Sequence, residues 1–261
     1  MDSYLISEEL FESPKYVNKK SEFSYFLNRC LGKNTPNEDA LLVICLSDNS
    51  YIFAIADGAG GYPKGEEAAY ICLNEIVSVF ESAKVKNSYR TEILDAIEGA
   101  NKKIIDLKTG AKTTLSVLEY QGGLCRSYQV GDSVSLICGQ KGKLKYKSTA
   151  HSPVGYGVEA GFIGAEEALQ HPDLHIISNL VGEAEMKIEL GPEVVISPND
   201  TLFLASDGLF DNLSAETVIE IIRAGSIEQA TEGLYKQIES QIYNNENAKQ
   251  DDLSFILFRP N

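Results

Sequence analysis

The sequence predicts an α+β fold built on antiparallel sheets. Three observations carry this: short apolar runs paired across a turn-forming break, helical stripes that come two at a time, and the order in which the two alternate. "LLVICL" (41–46) and "YIFAIA" (51–56), separated by "SDNS", read as a hairpin. After the glycine-rich "DGAGG", Ala69, Cys72, Leu73, Ile76, Val77 and Phe80 fall at i, i+3, i+4, i+7, i+8 and i+11, a helix with one buried stripe. Ile93, Ile97, Ala100, Ile104 and Leu107 repeat that spacing in a second helix. "TTLSVLEY", "LCRSYQV" and "SVSLICG" are three strand-like runs joined by "QGG" and "GD". Residues 147–192 are mixed and richer in Gly and Pro, and are expected to form a surface subdomain between strands. "TLFLAS" (201–206) is a further strand. Ser214 then caps one helix, and Ser226 with Gln229 forms the capping box of another. "LSFILF" (253–258) adds a last strand, so strands and helix pairs alternate through the chain.

The 261 residues, 43% of them hydrophobic and 23% charged, fit one globular domain over 1–261 with a sizeable core. A net charge of −15 opposes nucleic-acid backbones and anionic lipid, so neither is an expected partner. The cysteines, Cys30, Cys45, Cys72, Cys125 and Cys138, are odd in number and contain no CxxC pair. Cys45, Cys72 and Cys138 lie in apolar runs and read as buried thiols of a reducing compartment. The start "MDSYLISEELFE" lacks a basic segment followed by an apolar one, and no apolar run reaches the ~18 residues of a membrane span. The expected location is cytoplasmic.

Acidic residues gather at strand ends. Asp57 and Asp207 each follow an apolar run and precede Gly. Glu38 and Asp39 precede 41–46, Asp251 and Asp252 precede 253–258, and Asp132 sits in the "GD" turn. In an antiparallel sheet the end of one strand lies beside the start of the next, so "acid after" and "acid before" can converge on one rim. Such a cluster repels itself unless cations compensate it. All-oxygen donors suit hard divalent ions such as Mg²⁺ or Mn²⁺. Each Asp-Gly alone is equally a turn, and each acidic pair a solvated edge.

Together "NEDA" (37–40), "ADGAGG" (56–61), "TT" (113–114), "VGDS" (130–133), "SDGLFD" (206–211) and "DD" (251–252) resemble, in order, the motifs of the protein phosphatase 2C family, metal-dependent Ser/Thr phosphatases. The likeness spans about residues 30–259, and "EALQHPDLHIISNLVG" (167–182) is similar to the segment after the flap in bacterial members. The resemblance implies a four-layer α-β-β-α sandwich of two antiparallel sheets flanked by helices. It implies two Mg²⁺ or Mn²⁺ ions bridged by Asp57. Glu38 and the Gly58 carbonyl would complete the protein ligands of one, and Asp207 and Asp251 would hold the other. Asp39 would orient the attacking water, and Asp132 and Asp211 match the positions of a third, weaker ion. The implied reaction is direct attack of water on a phosphoserine or phosphothreonine phosphorus. The implied partners are a phosphorylated protein and a cognate Ser/Thr kinase.

The chain departs from the family pattern at three places. Where many members have a phosphate-binding Arg, four residues before the glutamate, this chain has Asn34, which cannot pair bidentately with phosphate. Lys33, Arg29 and Lys64 are the nearby cations. Ala59 stands where eukaryotic members have His and many bacterial ones Met, so no general acid is present there. Val134 replaces the last residue of "GDSR", a packing change on the strand. His151, His171 and His175 read as loop residues rather than ligands, and Lys143, Lys145 and Lys147 as a solvated strand face. Two other functions stay open: a phosphatase-fold regulator that binds a phosphoprotein but turns it over poorly, and a phosphatase for small phosphorylated molecules.

Overall fold

A computed structural model describes residues 2–7, 16–18, 21–30, 33–46, 49–82, 88–245 and 248–260. The chain begins with β1 (Asp2–Ile6), β2 (Tyr16–Asn18), β3 (Ser21–Asn28), β4 (Asp39–Leu46) and β5 (Ser50–Asp57). Helices α1 (Gly65–Ser82) and α2 (Arg90–Asp106) follow, then β6 (Leu115–Gln121), β7 (Leu124–Val130), β8 (Val134–Cys138) and β9 (Leu144–Lys147). Two short helices, α3 (Pro153–Glu159) and α4 (Ala165–Ala168), precede β10 (Glu189–Leu190), β11 (Val194–Val195) and β12 (Thr201–Ala205). The chain closes with α5 (Asp207–Phe210), α6 (Ala215–Ile222), α7 (Ile227–Asn244) and β13 (Leu253–Pro260).

Among the described residues the strands form two sheets. One has seven strands in the order β1-β4-β5-β6-β7-β10, with β11 also on β7; the other has six, β2-β3-β13-β12-β8-β9. All pairings are antiparallel, including the expected hairpin of β4 and β5. Residues 47–48 of its "SDNS" turn lie outside the described residues.

The apolar runs are continuous because the central strands are buried on both faces. On β4 and β5, Leu42, Ile44, Ile52 and Ala54 pack under α1 and α2, while Leu41, Val43, Tyr51 and Phe53 face the second sheet. On β12 and β13, Leu202, Leu204, Ile256 and Phe258 join that inter-sheet layer, while Phe203, Phe255 and Leu257 pack against α6 and α7. Helix pair, sheet, sheet and helix pair are thus the four layers implied by the motifs. Ser214 and Ser226 cap α6 and α7, Ser226 in the expected capping box with Gln229.

Three expectations need correction. Strands β1–β3 were not foreseen, although Phe23, Tyr25 and Leu27 alternate into the inter-sheet core. The lysine face of β9 is not wholly solvated: Lys143 and Lys147 are exposed, but Lys145 pairs with the buried carboxylate of Asp200. All five cysteines are free thiols. Cys125 is buried with Cys72 and Cys138, whereas Cys45 is only partly covered.

Candidate metal centre

The same two-residue alternation that builds the inter-sheet core continues to the strand ends. Asp39 opens β4 in phase with Leu41 and Val43, and Asp57 closes β5 in phase with Tyr51, Phe53 and Ile55; the two stand opposite each other in the ladder. On the second sheet, Ser206 follows Leu202 and Leu204, and Asp252 precedes Ile256 and Phe258, again in phase. The two sheets meet here: Ser206 Oγ donates to Asp39 Oδ2 at 2.8 Å. Asp207 begins α5 immediately after Ser206, with Asp211 at its C-cap, and Asp132 occupies the β7–β8 turn.

Backbone bonds fix the loops between. The Asp57 carbonyl accepts from Thr114 N (2.7 Å) and Thr113 Oγ1 (2.8 Å), and Asp57 N donates to Thr114 Oγ1 (3.1 Å). Thr114 Oγ1 also lies 2.6 Å from Ser133 Oγ, which ties Asp57 to the Asp132 turn. Gly58 N donates to the Glu38 carbonyl at 3.0 Å. A Cβ on Gly58 would collide with the backbone of Gly65, and one on Gly65 would lie 2.5 Å from Glu38 Oε1. These two glycines let α1 begin directly against the Glu38 loop.

The electrostatics are those of an acidic cluster short of positive charge. Burial, then repulsion from neighbouring carboxylates, pushes Asp39 up to about 8, although the bond from Ser206 opposes the shift. Burial and the charges of Asp39, Asp207, Asp251 and Asp132 raise Asp57 well above the carboxylate range. Asp207 is pushed up to about 6 by burial and Asp211, and Asp251, the most solvent-exposed of the set, also to about 6 by burial and Asp207. Asp132 and Asp211 are raised chiefly by burial. Asp39 Oδ1 and Asp132 Oδ1 are buried and find no hydrogen-bond partner. Hard divalent ions fit this donor set: it is all oxygen, it carries excess negative charge, and two of its buried oxygens lack a donor. Among the described residues no three of these side chains stand close enough together, as placed, to hold an ion.

Two lysines supply part of the missing charge. Lys33 Nζ donates to Glu38 Oε2 (2.7 Å) and Asp252 Oδ2 (2.6 Å), and these partners raise its affinity for the proton although burial opposes it. Asp252 also accepts from the backbone N–H groups of Glu38 and Cys30, both at 2.8 Å, and so gathers the whole Glu38 loop. Lys249 pairs with Asp211. The structuring roles of Asp252 and Lys249 escaped the sequence reading. The phase of Asp252 with Phe258 was a usable signal; Lys249 gave none.

Among the remaining candidates, Asn34 is exposed beside Lys33, and Lys64 pairs with Glu67 on α1. Ala59 is buried, its N–H donating to the Lys112 carbonyl at 3.0 Å. All three histidines lie in loops as expected, but His151 is buried. It is 3% exposed; Nδ1 accepts from Gly131 N (3.2 Å) and meets Asn179 Nδ2 (2.8 Å), and Nε2 meets Glu189 Oε2 (3.2 Å). Burial lowers its basicity, so the neutral ring links the Asp132 turn to segment 178–189.

From Asp132, Asp207 and Asp211 a groove of about 280 Å³ runs between α3–α4 and α5–α6, with Val154, Leu174 and Phe210 among its apolar walls. The rim thus joins an acidic end to an apolar trough.

A sequence model described as protein phosphatase 2C matches residues 28–251. The serine/threonine phosphatase stp of Listeria welshimeri is 31% identical over 201 residues, covering 71% of this chain and 77% of the relative. Among solved structures, the serine/threonine phosphatase Stp1 from Staphylococcus aureus superimposes with a TM-score of 0.79 at 22% identity, over 97% of this chain and 98% of that one. The catalytic domain of the phosphatase PstP, solved in complex with two manganese ions, gives 0.74 at 20% identity over 92% and 98%. At these identities the structural likeness is one of fold.

Proposed function

Because the chain belongs to the protein phosphatase 2C family, we propose that it is a phosphoprotein phosphatase acting on phosphoserine and phosphothreonine at the acidic rim of the two sheets. The observation that carries this is the convergence of Asp39, Asp57, Asp132, Asp207 and Asp251 from both sheets, each with its proton affinity raised. Glu38, Asp57, the Gly58 carbonyl, Asp207 and Asp251 would hold two ions of the Mg²⁺ or Mn²⁺ type. When bound, these would supply an acidified water and the positive charge that a phosphoryl group needs.

The residues of the chain do the rest. Asp39, one oxygen fixed by Ser206 and the other unpartnered, orients the attacking water and accepts its hydrogen bond. Thr113 and Thr114 hold the Asp57 backbone still. Ala59 has no proton to give, so the departing serine or threonine oxygen takes its proton from solvent. Asn34 offers phosphate a neutral amide, and Lys33 is already engaged by two carboxylates, so the phosphate is held by few protein charges. The groove beside Asp132, walled by the flap-like segment about residues 147–192, gives a peptide room to lie next to the centre. That favours phosphoproteins, the products of a Ser/Thr kinase, over small phosphate esters. The five cysteines, none of them in a disulfide, suit a reducing compartment and support a cytoplasmic location.

The test is phosphate release from a phosphothreonine peptide and from p-nitrophenyl phosphate, with and without Mn²⁺, in the wild type, Asp57→Asn and Asp207→Asn. Metal-dependent turnover of both substrates, lost in both variants, is expected. No turnover of either substrate would overturn the enzyme. Turnover of the aryl ester alone would move the function to small phosphate esters or to a binding regulator.

A further inference from the structure

Lys249 stands two residues before Asp251, and its ammonium pairs with Asp211 Oδ2. Unlike an ordinary surface ion pair, its partner is nearly covered: the Asp211 side chain is 12% exposed and that of Lys249 35%. The backbone of Lys249 is also clamped. Its N–H donates to Asn212 Oδ1 and its carbonyl accepts from Asn212 Nδ2, both at 2.9 Å. Asn212 is itself buried and donates to the Gly208 carbonyl at 3.0 Å, inside the turn that begins with Asp207 and ends at Asp211. The cation and the carboxylates it faces therefore belong to one rigid unit. Asp132 and Asp207 feel the same charge: Lys249 offsets the burial and repulsion that raise both of them.

We propose that Lys249 is a resident cation for the Asp132–Asp211 end of the centre, a tethered ammonium occupying ground that an exchangeable divalent ion would otherwise take. An ammonium brings three donors and no coordination positions, and it cannot exchange with solvent. The consequence is a chain limited to the two ions of the Asp57–Asp207 end, with no separate low-affinity phase in its response to metal. This rests on the proposed divalent-ion centre, and the experiment separates the two.

The full chain is titrated with Mn²⁺, with bound ions counted by calorimetry and by electron paramagnetic resonance, as wild type, Lys249→Ala, Lys249→Arg and Lys249→Ala/Asp132→Asn. Two ions are expected in the wild type and in Lys249→Arg. Lys249→Ala should bind a third at least about tenfold more tightly than the wild type. The added Asp132→Asn should abolish that third ion. Equal counts and affinities in the wild type and Lys249→Ala would overturn the role of Lys249 while leaving the two-ion centre intact. A third ion already present in the wild type would do the same. A wild type that binds no ion would instead overturn the centre itself. Lys249→Met, which keeps the apolar stem, repeats the titration if the alanine variant unfolds.

Discussion

The layer between the two sheets changes chemistry along its length without changing geometry. In its middle, Tyr51, Phe53, Tyr120 and Phe258 pack ring against ring, with Phe258 centroids 4.8–5.0 Å from the other three. At its end, the same strands in the same phase present Asp39, Asp57, Ser206 and Asp252. One register serves both regions. A slip of one residue would turn the aromatic rings toward the helices and the carboxylates out of the rim together. The middle of the layer holds the sheets together, while the rim stores repulsion that a cation bound as proposed would relieve. Stability and function should therefore respond to opposite substitutions.

The largest effect is expected in the middle. Phe258→Ala removes the ring that three others contact, and should cost about 3–5 kcal/mol of unfolding free energy. Denaturant unfolding measures it, and a parallel Mn²⁺ titration tests the separation: an affinity change as large as the stability change would show that the regions are not independent. Next comes Asp57→Asn at the rim, which should lower metal-dependent turnover by at least about 10²–10³. It also replaces a carboxyl whose ionisation burial and its neighbours oppose, so the metal-free variant should melt no lower than metal-free wild type at pH 8. A lower melting temperature would mean that Asp57 is structural rather than frustrated.

How much of this was legible in the sequence depended on which signal each residue carried. Continuous apolar runs gave β4, β5, β12 and β13, and the acids flanking them gave the rim. The N-terminal strands were harder to see. Only β3 carries an alternating pattern, and β1 is a half-exposed edge strand whose "DSYLI" is weakly patterned. The burial of His151 and the ion pair of Lys145 were not legible because burial of a loop histidine or a strand lysine is set by distant partners, Glu189 and Asn179 in one case and Asp200 in the other. Local pattern cannot report such pairings. Lys249 belongs to the same class, since its meaning comes from Asn212 and Asp211, nearly forty positions earlier.

The third contrast is in pH. Asp39 titrates at about 8 and Asp207 at about 6 in the folded protein, against roughly 4 for an unfolded aspartate. Between those values the folded state holds protons that the unfolded state has lost, so stability falls as pH rises from about 4 through 6 to 8. Metal-free protein should accordingly melt progressively lower over that window, and saturating Mn²⁺ should flatten or reverse the trend. Phe258→Ala should shift both curves down without changing their slopes. A metal-free melting temperature that climbs from pH 5 to pH 8 would mean that the rim carboxylates are already compensated by Lys33 and Lys249.

The smallest effect is expected at the mouth of the rim. Asn34 is exposed and neutral, and the adjacent Lys33 is drawn inward by Glu38 and Asp252. Asn34→Arg would add a planar, permanently charged fork where the chain has an amide. A charge-assisted pair in a solvent-exposed site is worth about 1 kcal/mol, so KM for a phosphothreonine peptide should fall roughly fivefold. Turnover at saturation should change little, because the new contact forms equally with bound substrate and transition state. The aromatic layer beneath should not notice, leaving the unfolding midpoint within error. A fall in kcat with KM unchanged would instead indicate that the guanidinium has turned inward onto Glu38 or Asp252, displacing Lys33 and disturbing the carboxylates rather than meeting the phosphate.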